Sequence, residues 1–134
     1  RDMEFTVDFP GGLKVDARFD EFTISSDQPA NNGGDNTAPS PFLIFLASIA
    51  NCAGFYVLSF CKKHDLPTEG VRVVQRTSSN PTTHMVESVD IEIQVPASFP
   101  EKYHDALVRA ADLCKVKKHL EKPPSFKTYT KVVN

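Results

Sequence analysis

At 134 residues the chain is long enough for one domain with one substantial core. A formal net charge of −2 and a pI near 6.1 give no electrostatic case for a nucleic-acid partner. Three cysteines are too few, and an odd number, for a secreted disulfide scaffold. A reducing cytoplasm is therefore the expected setting, with any disulfide transient.

Residues 4–9 alternate polar and apolar (Glu4, Phe5, Thr6, Val7, Asp8, Phe9), which predicts a strand and not the apolar block of a secretory leader. Residues 13–19 alternate in the same way, and Gly11 and Gly12 mark a hairpin between the two. Residues 22–25 predict a third short strand. A polar loop follows, rich in turn formers from Asp27 to Asn36; it is long for a connector, and such loops are often functional.

Ser40 suits a helix N-cap and Pro41 the first helical position. The predicted helix runs to Lys63 or His64, where Lys62 and Lys63 complement its C-terminal dipole and Pro67 and Gly70 close it. It contains a run of 20 uncharged residues, Phe42 to Cys61, long enough to cross a bilayer. Ser48, Asn51, Cys52 and Ser59 interrupt the run, and a helix apolar all round also serves as the centre of a soluble fold. A buried core helix, with no membrane partner, is the expected reading.

Downstream, residues 71–76 and 84–95 predict strands around a turn at Asn80 and Pro81. Val89, Ile91, Ile93 and Val95 share one face of the longer strand, and Asp90, Glu92 and Gln94 share the other. A second helix opens near Phe99, Pro100 and Glu101, and a short third one covers Val116 to Leu120 before Pro123 and Pro124. Residues 126–133 predict a final strand. The pattern is α+β, about six strands around a long central helix, in a single domain over residues 1–134. One sheet covers only one side of such a helix, so a second copy of the chain is expected to cover the rest.

Candidate chemistry rests on the cysteines. On a helix, Cys52 shares a face with Ser48, Phe55, Tyr56 and Ser59, whereas Cys61 lies about 180° away. Cys61 therefore reads as a small buried apolar residue. Cys114 precedes Lys115, Lys117, Lys118 and His119, and these cations with a helix start would favour a thiolate there. Apolar surroundings would raise the Cys52 pKa unless a cation lies near; Arg18, Arg72, Arg76 and Arg109 are the candidates. The cysteine and histidine spacings match no zinc motif, and no phosphate-cradling glycine loop is present. No metal or other cofactor is expected.

Residues 38–54 (Ala-Pro-Ser-Pro-Phe-Leu-Ile-Phe-Leu-Ala-Ser-Ile-Ala-Asn-Cys-Ala-Gly) resemble the central-helix motif of the OsmC/Ohr proteins, the osmotically inducible and organic hydroperoxide resistance family. Residues 111–120 (Ala-Asp-Leu-Cys-Lys-Val-Lys-Lys-His-Leu) resemble that family's second motif, a cysteine before a short helix. The resemblance covers nearly the whole chain. It implies an intertwined homodimer with two active sites at the subunit interface, reducing organic hydroperoxides at the expense of a dithiol reductant. It casts Cys52 as the peroxidatic thiol, Cys114 as the resolving thiol, and Arg18, in the expected N-terminal region, as the cation that stabilises the thiolate. Metal, flavin and haem are not needed.

Two positions depart from the family pattern. Phe42 stands where peroxide-reducing members carry a glutamate that orients the arginine, and Lys115 stands where many relatives have proline. Two other functions are therefore carried alongside the peroxidase. One is a non-catalytic module binding an apolar small molecule; the other is a disulfide-switched redox sensor. The aromatic residues Phe42, Phe45, Phe55 and Tyr56 would favour an organic over an inorganic peroxide.

Overall fold

A computed structural model describes residues 1–134. Five strands and three α-helices follow in the order β1 (Thr6–Gly11), β2 (Lys14–Phe19), β3 (Phe22–Ser26), α1 (Pro41–Lys63), β4 (Arg72–Ser79), β5 (Val86–Gln94), α2 (His104–Ala111) and α3 (Lys115–Glu121). The chain resolves into two compact units, Arg1–Ser48 and Ile49–Asn134, with α1 continuous through the boundary.

The first unit holds the antiparallel sheet β1-β2-β3. Gly12, at φ +57° in the β1–β2 turn, occupies the left-handed region where a Cβ is unfavourable. Register pairs Val7 with Ala17 and Ala17 with Ile24, and Phe19 with Phe22, so one face of the sheet is apolar. Phe5, Phe19 and Phe22 stack along it, at centroid distances of 4.6 and 5.8 Å. Phe5, Val7, Phe22 and Ile24 remain exposed. The opposite face carries Asp8, Asp16, Arg18 and Thr23, by the same alternation.

The predicted loop after β3 is a braced turn. The buried Asp27 carboxylate accepts hydrogen bonds from the Thr37 N–H (3.0 Å), the Thr37 hydroxyl (2.7 Å) and the Gln28 N–H (2.7 Å). Gly34 lies so close to the Gln28 carbonyl that any Cβ would collide with it. The Thr37 N–H and hydroxyl, then the Gln28 N–H, hold the Asp27 pKa at about 2, against the opposing effect of burial and with help from Lys14. A carboxyl depressed from 3.8 contributes stability that is complete above the unfolded value and is lost as pH falls through the folded one. Asp27→Asn is thus expected to lower the melting temperature at pH 6, with the gap to the parent narrowing toward pH 2. A gap of the same size at both pH values would count against this brace.

Helix α1 starts where expected: Pro41 is its first residue, and the Ser40 hydroxyl accepts from the Leu43 N–H at 3.4 Å. It ends at Lys63. The expectation of a fully buried central helix needs correction. Only Ile49, Ala53, Val57 and Cys61 are buried, a single stripe spaced four apart, while Phe42, Leu43, Phe55 and Leu58 are exposed. By length and composition this helix could cross a bilayer.

In the second unit the stripe Ala53-Val57-Cys61 packs with Phe99, Leu107 and Ala111 to form the core. Val73, Ile91 and Ile93 lie against that core. They come from one face of the β4–β5 hairpin, where Val73 pairs with Ile93, as the alternation predicts. Arg76, Asp90 and Glu92 fall on the other face. The hairpin turns on Asn80, whose Oδ1 accepts from the N–H groups of Thr82 (2.8 Å) and Thr83 (3.0 Å).

The sixth predicted strand is absent. Residues 126–133 form no regular structure, and Phe126, Tyr129, Val132 and Val133 are exposed. An extended segment becomes a strand only when a neighbour satisfies its N–H and C=O groups. The chain itself offers this segment no such neighbour.

Candidate functional site, a pair of thiols

Cys52 sits mid-way along α1, half-buried, beside the fully buried Ala53. Cys114 is delivered by the end of α2. The last turn of that helix tightens through N–H bonds from Asp112 to Val108 O, Leu113 to Ala110 O and Cys114 to Ala111 O. Cys114 then adopts extended backbone (φ −45°, ψ 119°) and caps α3, its Sγ accepting from the Lys117 N–H at 3.4 Å. It is 2 % exposed.

Both are free thiols, and the Cys114 thiol hydrogen-bonds to Cys52. Burial pushes the Cys52 thiol up. Hydrogen bonds from the Val116 N–H, the Cys114 thiol and the Lys115 N–H, with the Lys115 charge, outweigh it and leave the group below its ordinary value. Cys114 goes the other way: burial raises it, and so does donating its proton to Cys52, although the Lys117 N–H works against both. The pair is polarised: the Cys52 pKa is drawn below the ordinary thiol value and the Cys114 pKa is pushed above it. This reverses the residue-by-residue expectation that cations and the helix start would favour the thiolate at Cys114. The α3 start lies against both sulfurs: the Lys115 N–H serves Cys52, the Lys117 N–H serves Cys114, and the Val116 N–H is shared between them.

Cys61 is fully buried in the core stripe, its thiol pushed up by burial. It lies away from Cys52 on α1, as the helical spacing predicts. Arg18 lies on the polar face of the first unit's sheet, 3.6 Å from both Asp8 and Asp16. Arg76 pairs with Glu92 at 2.7 Å, and Arg72 donates to Gln94 Oε1 at 3.3 Å. Of the aromatic residues, Phe42 stacks on Phe45 at 5.8 Å in the first unit, and Phe55 meets Tyr56 edge-on at 5.3 Å in the second. Phe55 and Tyr56 are three and four residues beyond Cys52, on its face of α1. No group of three or more His, Cys, Asp and Glu side chains is placed to hold a metal ion.

The sequence reading missed Lys115 and Val116 as donors to Cys52. The signal was available: a cysteine followed by a helical run is an N-cap pattern, and the first N–H groups of any helix need partners outside it.

A helical cysteine met by a second cysteine at the start of another helix, in an α+β chain, defines a two-thiol protein. The OsmC-like protein family model matches residues 33–129, and the chain belongs to that family. Solved structures share the fold. A protein of Psychrobacter arcticus, provisionally described as an osmotic stress induced and detoxification response protein, superposes with a TM-score of 0.70 at 21 % identity over 85 % of each chain. An organic hydroperoxide resistance protein OsmC of Legionella pneumophila, also described as a predicted redox protein, gives 0.58 at 16 % identity, over 90 % of this chain and 89 % of the other. An OsmC-like protein of Mycoplasma pneumoniae gives 0.59 at 15 % identity, over 92 % and 89 %. No curated protein shows a significant match.

Proposed function

We propose that the chain is a thiol-dependent peroxidase of a reducing cytoplasm, acting on organic hydroperoxides. The observation that carries this reading is a pair of free thiols, Cys52 and Cys114, in hydrogen-bond contact. The Cys52 thiolate attacks the terminal peroxide oxygen, the O–O bond breaks, and the alkoxide leaves and takes a proton to become the alcohol. Cys52 is then a sulfenic acid. The Cys114 sulfur displaces its hydroxyl, which departs as water with the Cys114 proton, and a disulfide remains. An external dithiol reopens the disulfide by exchange and is itself oxidised, restoring both thiols. Phe55 and Tyr56 beside Cys52 suit an apolar R group on the peroxide.

The test is a mass measurement under non-reducing conditions. One equivalent of an organic hydroperoxide is expected to remove the mass of two hydrogens per chain, with peptide mapping joining Cys52 to Cys114. Persistence of both thiols would leave the non-catalytic reading, a module that binds an apolar small molecule. The stacked pair Phe42–Phe45, where the family's glutamate would stand, favours that second reading.

We further propose that the protein works as a homodimer. Large apolar side chains stay exposed on the first unit's sheet (Phe5, Val7, Phe22), on α1 (Phe55, Leu58) and along the C-terminal segment (Phe126, Tyr129). A second copy would cover these faces and offer residues 126–133 a strand to pair with. The buried stripe on α1 packs against a sheet whose other face is charged, which suits a soluble assembly more than a membrane span. Sedimentation at micromolar concentration is expected to give twice the chain mass; monomer alone would remove the proposal.

A further inference from the structure

Charge is divided unevenly along the chain. Residues 1–113 hold nine Lys and Arg against sixteen Asp and Glu, whereas residues 114–134 hold six Lys against Glu121 alone. Helix α3 lies in this basic part. At 100° per residue, Lys115, Lys118, His119 and Lys122 fall within an arc of about 100°, and Glu121 falls outside it. All four side chains are exposed. Val116, the half-buried residue of the helix, lies to one side of the arc. Lys117, which pairs with Asp112 at 3.2 Å, lies on the opposite side. The result is a basic face that no carboxylate of the chain interrupts. It begins at the thiol pair, because Cys114 immediately precedes α3. Cys114 is 2 % exposed and Cys52 is half-buried, so a thiolate from outside reaches the pair at the Cys52 sulfur.

We propose that the basic face of α3 is a docking surface for the reductant, and that the reductant is an acidic protein bearing a dithiol. The choice of partner rests on the peroxidase reading, which requires a dithiol to reopen the disulfide. Three lysines and a histidine spread along about 10 Å of helix outnumber the single carboxylate of a small peroxide or thiol, and fit an acidic protein surface. The acidic remainder of the chain repels such a surface, so charge steers it to α3 and orients it there. Docked on α3, the partner holds its thiols beside Cys52. One of its thiolates attacks the Cys52 sulfur, the Cys114 sulfur leaves and takes a proton, and a mixed disulfide forms. Its second thiol then displaces the Cys52 sulfur, which takes the other proton. Two electrons and two protons have passed to the chain, and the partner holds the disulfide.

For the experiment the full-length chain is oxidised with diamide, which takes two hydrogens from the thiol pair and becomes a hydrazine. Its reduction is followed with two synthetic dithiols, Cys-Gly-Pro-Cys flanked on each side by a run of Glu or by an equal run of Gln. Each rate is divided by that of the same peptide on bis(2-hydroxyethyl) disulfide, which removes differences in thiol reactivity. At about 20 mM ionic strength the acidic peptide is expected to react about tenfold faster, and at about 0.5 M the two are expected to be equal. Lys118→Glu combined with Lys122→Glu is expected to abolish the preference and leave reduction by dithiothreitol unchanged. Lys62→Glu combined with Lys63→Glu, at the far end of α1, is expected to keep it. Equal rates for the two peptides at low salt overturn the inference. So does a preference that survives charge reversal on α3, or one lost equally in the α1 variant, which would indicate a diffuse field. Loss of the parent's oligomeric state in the α3 variant would give the face to a second copy and also overturn it. A disulfide that forms with diamide but not with a hydroperoxide fails the peroxidase reading alone. Equal peptide rates in a chain that consumes hydroperoxide fail this inference alone, and a chain in which diamide joins no sulfurs fails both.

Discussion

Cys52→Ser is expected to reduce organic hydroperoxide consumption to the uncatalysed rate, while Cys114→Ser permits one turnover per chain and then stalls. A serine hydroxyl at position 52 stays protonated at neutral pH and forms no sulfenic acid, so the first step has no nucleophile. The second variant keeps more of the site. A serine at position 114 still caps α3 well, and its hydroxyl can still donate toward Cys52. The first attack should therefore survive, and the Cys52 sulfenic acid should accumulate, trapped by dimedone once per chain. Cys61 provides no substitute, because it is fully buried on the core stripe of the same helix. Unchanged turnover in Cys52→Ser would end the peroxidase assignment. Sustained turnover in Cys114→Ser, with the dithiol as sole reductant, would remove Cys114 from the resolving role.

Leu107→Ala is expected to cost about 3 kcal/mol, within the range for removing a large buried aliphatic side chain. Leu107 is 2 % exposed and joins α2 to the stripe Ala53-Val57-Cys61 and to Phe99. For a chain of this size the melting temperature should fall by roughly 10 °C. The loss also bears on the site, because α2 leads within a few residues to Cys114. A variant that folds should form the Cys52–Cys114 disulfide more slowly, since the cavity loosens the element that carries one of the two sulfurs. Denaturant unfolding checks the first expectation: a loss below about 1 kcal/mol would mean that the core collapses around the gap.

Much of this was legible along the chain. Strand alternation at residues 4–9, 13–19 and 84–95 survives in β1, β2 and β5, because period-two patterning puts alternate side chains on opposite faces of a sheet. Ser40 and Pro41 mark the start of α1 because capping chemistry is local. The separation of Cys52 from Cys61 follows from helical rotation alone. Residues 126–133 show where such reasoning stops. They alternate well enough for a strand, but a strand also needs a partner, and no local signal says whether the same chain provides it. The burial of α1 failed similarly: an apolar circumference says that the helix should be covered, not by what.

The amino-acid sequence by itself determined the five strands and three helices that form, the separation of Cys52 from Cys61 and the family, since each depends on short-range periodicity, capping or a contiguous motif. Only the tertiary structure decided which thiol has its pKa lowered and which has it raised. That choice depends on where the N–H groups at the start of α3 point. Hydrogen bonds and charge act over a few ångströms through space, so residues 115 and 116 govern the acidity of a thiol more than sixty positions away along the chain.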